Sequence, residues 1–184
     1  MATLQPKKIS LADGSEIQLR SPTADDASEV GLFIDAIIAN GAGMVAVTGE
    51  IPTDPDSQAP YIEKFLEDPL SIMITAFDNK SVVGHLNFRA QKRQRLKHGG
   101  EFGISIAPLW RGRGLGKILL ERLIDWAQSS PITKVGLRTR SDNLHAIALY
   151  KKCGFQEQGR LIKEIRLEDG SYLDDILMYI ITEE

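Results

Sequence analysis

Arg111-Gly112-Arg113-Gly114-Leu115-Gly116-Lys117 is the most informative run of this chain. Its three glycines let backbone amides approach a ligand with no Cβ in the way. Ahead of it, Glu101 to Ile106 reads as a strand that Pro108 stops. Behind it, Leu115, Ile118, Leu119, Leu123 and Trp126 fall at helical spacing, with Lys117, Glu121 and Asp125 on the opposite face. A strand, a glycine-rich turn and an amphipathic helix in that order point unpaired helix N–H groups, and their partial positive charge, at whatever the turn faces. That suits a phosphate, and Arg111, Arg113 and Lys117 add full charges. A dinucleotide fingerprint is excluded, because Lys117 stands where its third glycine belongs. A nucleoside-triphosphate loop is excluded too, because Ile118 follows Gly116-Lys117 where that loop needs a hydroxyl for magnesium. The remaining alternative is a tight turn whose glycines serve packing alone.

A second constellation lies downstream. Ser141 or Asp142 caps a helix that runs to about Lys152 and ends at Cys153-Gly154, a glycine in the usual C-terminal place. Asn143 and Tyr150 are nearly two turns apart on it, so they share a face, roughly 10 Å apart along the axis. A capping Asn and a core Tyr would give the same spacing.

The two constellations together resemble a known family. Arg111-x-x-Gly114-x-Gly116 resembles the (Gln/Arg)-x-x-Gly-x-(Gly/Ala) acetyl-coenzyme A signature of the GNAT superfamily of N-acetyltransferases. Ile104-Ser105-Ile106-Ala107-Pro108 resembles that family's fourth strand, and the run from Asn143 through Ala146, Ala148 and Tyr150 to Gly154-Phe155 resembles its later motif. The resemblance covers about residues 82–180. It implies a mixed α/β domain whose central, mainly antiparallel sheet of six to seven strands is flanked by helices.

It also implies roles. Acetyl-coenzyme A is the expected co-substrate, with its pyrophosphate on Arg111, Gly112, Arg113, Gly114, Leu115, Gly116 and Lys117. Its pantetheine arm would run beside Ile104, Ser105 and Ile106 and reach Asn143, with Lys152 nearby. An amide near Ile106 would polarise the thioester carbonyl. Tyr150 would protonate the leaving thiolate while a primary amine attacks directly, so Cys153 is not needed as a nucleophile. Some relatives carry a Glu five residues before the Asn. Arg138 stands there, so that version of the base is absent; Glu101, on a strand face with Gly103 and Ser105, is the candidate base, with an edge carboxylate in solvent and a water chain as the alternatives. The acceptor would be an amine-bearing small molecule or a protein N-terminus, and a homodimer is plausible. A non-catalytic acyl-coenzyme A sensor on the same fold, and a fold-only scaffold, are the competing readings.

The rest of the chain fits one domain, residues 1–184, without repeats or a long linker. Upstream, the turn Asp13-Gly14 precedes a strand from Glu16 to Arg20, and Thr23 opens a helix carrying Val30, Phe33, Ile37 and Ile38. Gly41 to Pro60, broken by three glycines and three prolines, reads as mostly loop, with a short helix from Tyr61 to Glu67. Ser71 to Phe77 and Val82 to Arg89 pair through Asp78-Asn79-Lys80. The basic run Gln91 to His98 reads as a solvated hairpin loop, with a rim for phosphates as the alternative. Lys134 to Arg140 is a strand, and Asp169-Gly170 joins two long final strands, Phe155 to Glu168 and Tyr172 to Ile181.

A formal net charge of −3, with aromatics at 7% and none interleaved with the basic run, argues against nucleic-acid binding. One cysteine forms no intramolecular disulfide, the start of the chain lacks a signal pattern, and no apolar run is long enough to span a membrane. A cytoplasmic protein without membrane contact is expected. His85, His98 and His145 lack metal-ligand spacing, so no metal is expected. Asp174 and Asp175 read either as the wall of an amine pocket or as solvated strand residues.

Overall fold

The computed structural model describes residues 3–41 and 43–183; Met1, Ala2, Ala42 and Glu184 lie outside them. Eight strands form one sheet: β1 (Lys7–Ser10), β2 (Glu16–Arg20), β3 (Ile72–Asp78), β4 (Ser81–Ala90), β5 (Gly99–Ile106), β6 (Lys134–Arg140), β7 (Gln156–Arg166) and β8 (Tyr172–Ile181). Their order is β1-β2-β3-β4-β5-β6-β8-β7, and every neighbouring pair is antiparallel except β5–β6. Four helices flank it: α1 (Ala27–Asn40), α2 (Pro55–Glu67), α3 (Leu115–Gln128) and α4 (Leu144–Lys152).

Period-two alternation splits the core in two. On one face, Met73, Phe77 and Val82 pack against Val30, Phe33 and Ile37 of α1 and Ile62 and Phe65 of α2. On the other, Ile72, Ile74, Leu86 and Phe88 meet Leu115, Leu119, Leu120 and Leu123 of α3, while Tyr150 of α4 and Phe155 stack edge-on around Phe102.

Two expectations are corrected. The sheet has eight strands rather than six or seven, because Lys7–Ser10 pairs with β2 across the Asp13-Gly14 turn; four largely exposed residues carry too little hydrophobic pattern to announce a strand. The stretch from Gly41 to Pro60 is loop only to Asp54. Helix α2 starts at Pro55, whose missing N–H costs nothing at a first helical position, and the Asp54 side chain caps it by accepting from Ser57 N at 2.9 Å. Pro60 sits inside that helix.

Candidate active site

The site arises where two parallel strands stop pairing. β5 and β6 are in register only at Gly99–Lys134, Gly100–Val135 and Glu101–Gly136. Beyond that, Phe102 to Ile106 and Leu137 to Arg140 have no pairs with each other, although β6 continues along β8 and β5 along β4. The edge of β5 facing the gap therefore keeps free backbone groups, which a buried sheet does not tolerate without a partner. A cavity of about 460 Å³ lies at this gap, lined by Phe102 to Ser105, Thr139, Asn143 and Tyr150 and, above the sheet, by residues of α1 and α2.

The glycine-rich turn sits at the end of β5. Gly114 has φ +87° and serves as the N-cap of α3 without a side-chain hydrogen bond. That left-handed conformation is why a glycine stands there. A Cβ at Gly112 or Gly114 would meet nothing within 4 Å, so the outer face of the turn is open. The amides from Gly112 to Lys117 donate to no other described backbone or side-chain group, and the first amide tied back is that of Ile118, to Gly114 O at 3.2 Å. Open glycines, unpaired amides and a helix N-terminus fit an anionic diphosphate.

The flanking cations are placed differently from one another. Arg111 holds the turn in place, donating Nε to Ile106 O at 3.0 Å and Nη2 to Asn40 Oδ1 at 3.4 Å. Arg113 lies over Trp110 and pairs with Asp13 at 2.9 Å, and Lys117 makes an exposed pair with Glu121 at 3.2 Å. Exposed pairs of this kind are weak and exchangeable, so both cations remain available to a phosphate.

Tyr150 and Asn143 both line the cavity, as their shared helical face requires. Tyr150 is 6% exposed, and its hydroxyl makes no hydrogen bond to any described residue. Burial pushes its phenol up to about 12, so it stays protonated at neutral pH. Asn143 is the N-cap residue of α4, but its side chain makes no capping bond, which leaves its amide free toward the cavity. Ile104 and Ser105 line the same space; Ile106 lies at the strand end, with its carbonyl taken by Arg111.

Glu101 is elsewhere. It is exposed, pairs across the sheet with Arg89, and borders a separate depression under the basic loop with Gln91, Lys92 and Arg93. The candidate base thus stands before the strands splay, on the paired side of the gap. Lys152 is exposed at the far end of α4 and does not line the cavity. Asp174 and Asp175 do not line it either: Asp174 pairs with Arg160, and buried Asp175 accepts from Arg138 Nε at 2.7 Å. The half-buried Cys153 has its thiol pushed up by burial and by Glu121, which suits packing rather than nucleophilic attack.

The structure adds residues that the sequence did not single out. His85 and Asn87 alternate on β4 toward the cavity, opposite Ser105 and Gly103 of β5. His85 is 7% exposed, its Nδ1 lies 2.8 Å from Thr75 Oγ1, and burial pushes its imidazole down to about 4. Among the described residues no Asp, Glu or Lys lines this cavity, and His85 is the one lining imidazole, neutral at neutral pH. Two polar residues at i and i+2 in an otherwise apolar strand were the available signal.

The segment from Gly43 to Thr53 roofs the cavity. Arg140 Nη1 donates to Met44 O at 3.1 Å, Ser105 Oγ lies 3.9 Å from Met44 Sδ, and Gln58 Nε2 donates to Pro52 O at 2.6 Å. Gly31 lets this roof close on α1, since a Cβ there would collide with the Thr53 carbonyl. Among the described residues no cluster of three or more His, Cys, Asp or Glu could hold a metal, and no helix is long and apolar enough to cross a membrane.

Known proteins resemble this chain in sequence and in fold. The model of the acetyltransferase (GNAT) family matches residues 44–155. An L-amino acid N-acetyltransferase of Escherichia coli is 32% identical over 132 residues, covering 71% of this chain and 80% of that protein. A spermidine N(1)-acetyltransferase of Vibrio cholerae is 34% identical over 87 residues, covering 47% of this chain and 50% of that enzyme. Among solved structures, a GNAT-family acetyltransferase from Streptococcus pneumoniae superposes with a TM-score of 0.85 at 27% identity, covering 91% of this chain and 99% of that one.

Proposed function

This chain belongs to the GNAT family of acetyltransferases, and from that premise we propose that it moves the acetyl group of acetyl-coenzyme A to a primary amine by direct attack, with Tyr150 as general acid. The observation that carries the proposal is the splay of β5 from β6. It puts an open, amide-rich turn at one end of a gap and an unpartnered phenol at the other, with a cavity large enough for a small acceptor on the far side.

The amides of Gly112 to Lys117 would hold the pyrophosphate, with Arg113 and Lys117 adding charge. The free edge of β5 at Ile104 and Ser105, and the Asn143 amide, would take the amide groups of the pantetheine arm. An unpaired N–H toward the end of that edge, near Ile106, would stabilise the oxyanion as the amine nitrogen bonds to the thioester carbon. As the carbon–sulfur bond breaks, the Tyr150 hydroxyl gives its proton to sulfur. The ammonium proton leaves to Nε2 of His85, directly or through one water. Glu101, on the paired side of the gap, is replaced in this role. Burial keeps the phenol protonated and the imidazole unprotonated at neutral pH.

Incubation with acetyl-coenzyme A and a panel of amines, read as free thiol, tests this. Amine-dependent thiol release is the expected result. Tight coenzyme binding without thiol release from any amine would instead make the protein a sensor module.

A further inference from the structure

The cavity's lining discriminates among amines by charge. Among the described residues no Asp or Glu lines it, so a second ammonium on the acceptor would find no lining carboxylate to pair with. Its α1 wall is apolar, made by Val30, Phe33, Ile34 and Ile37, and Met73 floors it. Among the described residues Arg138 is the only fixed positive charge in the lining. Its Nε and Nη2 are taken by Asp175 Oδ2, both at 2.7 Å, and Nη2 also reaches Glu164 at 3.2 Å. Neither carboxylate lines the cavity. Nη1, with two N–H groups, has no partner among the described residues. The guanidinium of this exposed side chain is thus held by two carboxylates, with Nη1 unpaired. A clamped planar fork recognises a carboxylate far better than it does a neutral group.

The geometry points to an acceptor that is an amino acid with an uncharged, apolar side chain, its carboxylate received by Arg138 and its side chain by the α1 wall. Polyamines are excluded by the same lining. This rests on the amine-acetyltransferase reading above and goes further, since the relatives named there act on amino acids in one case and on spermidine in the other.

The test uses the wild-type chain with acetyl-coenzyme A and three probes: L-leucine, L-leucinamide and spermidine. L-Leucinamide keeps the amine and the side chain but lacks the carboxylate, and more of its amine is uncharged at neutral pH, which biases the comparison against the inference. Expected is a kcat/KM for leucine at least about tenfold above that for leucinamide, with spermidine at background. Arg138→Gln should bring the leucine-to-leucinamide ratio toward one by raising the KM for leucine. Leucinamide or spermidine turning over as well as leucine overturns the inference and leaves acetyl transfer standing. Thiol release from other amines but none from leucine also overturns this inference alone, whereas no release from any amine of a wider panel removes the parent reading and this one with it.

Discussion

Acid should weaken this fold through His85, and the size of the effect follows from its burial. The imidazole sits between Thr75 and Ser105 in the ladder, 7% exposed, and burial lowers it from 6.5 to about 4. Below pH 6.5 the unfolded chain binds a proton there that the folded chain refuses until about pH 4, so stability falls with pH across that window. The contribution is fully present above 6.5 and gone below about 4. A gap of about 2.5 pH units, at about 1.4 kcal/mol each, amounts to about 3 kcal/mol. That is a large share of the roughly 5–15 kcal/mol that holds a domain folded. Urea unfolding at pH 7.5 and pH 4.5, for the wild type and His85→Gln, isolates it, because carboxylates and the exposed histidines contribute alike to both proteins. The wild type should lose about 2–3 kcal/mol more than the variant between the two pH values. Equal losses would show that the imidazole is solvated, and with that the argument for a neutral proton acceptor in a dry cavity fails.

Two catalytic predictions accompany it. Tyr150→Phe should lower kcat by about 10²-fold with little change in coenzyme affinity measured by calorimetry; unchanged turnover removes the phenol from the mechanism. Gly114→Val should raise the KM for acetyl-coenzyme A by about tenfold or more, because a branched residue is strained at φ +87° and occupies the open face of the turn; steady-state kinetics with varied coenzyme would show an unaltered KM if the turn holds no phosphate.

The open turn and the helix face proposed for the coenzyme were legible in the sequence, and the wall proposed for the acceptor was not. The turn from Arg111 to Lys117 and the Asn143–Tyr150 spacing each lie within a short run of chain, where local geometry fixes which atoms share a face. The acceptor side is assembled from α1, the roof near Met44, His85 and Asn87 on β4, and Arg138 on β6, brought together from across the chain. Helix α2 was half hidden by its own prolines, although Asp54-Pro55 is a good helix start. Glu101, which does not line the cavity, shows where local reading stops. Alternation put it correctly on a face with Gly103 and Ser105, but it could not tell that β5 leaves β6 only after Glu101.

Most elements and the open turn could be read from the chain alone, because hydrophobic period, capping and glycine placement are properties of neighbours; β1 and the start of α2 were exceptions. Where the sheet parts, which histidine loses its water, and that two carboxylates hold Arg138 with Nη1 unpaired emerged from the folded molecule. Those outcomes depend on burial and on strand register between distant segments, and neither is encoded within any single stretch.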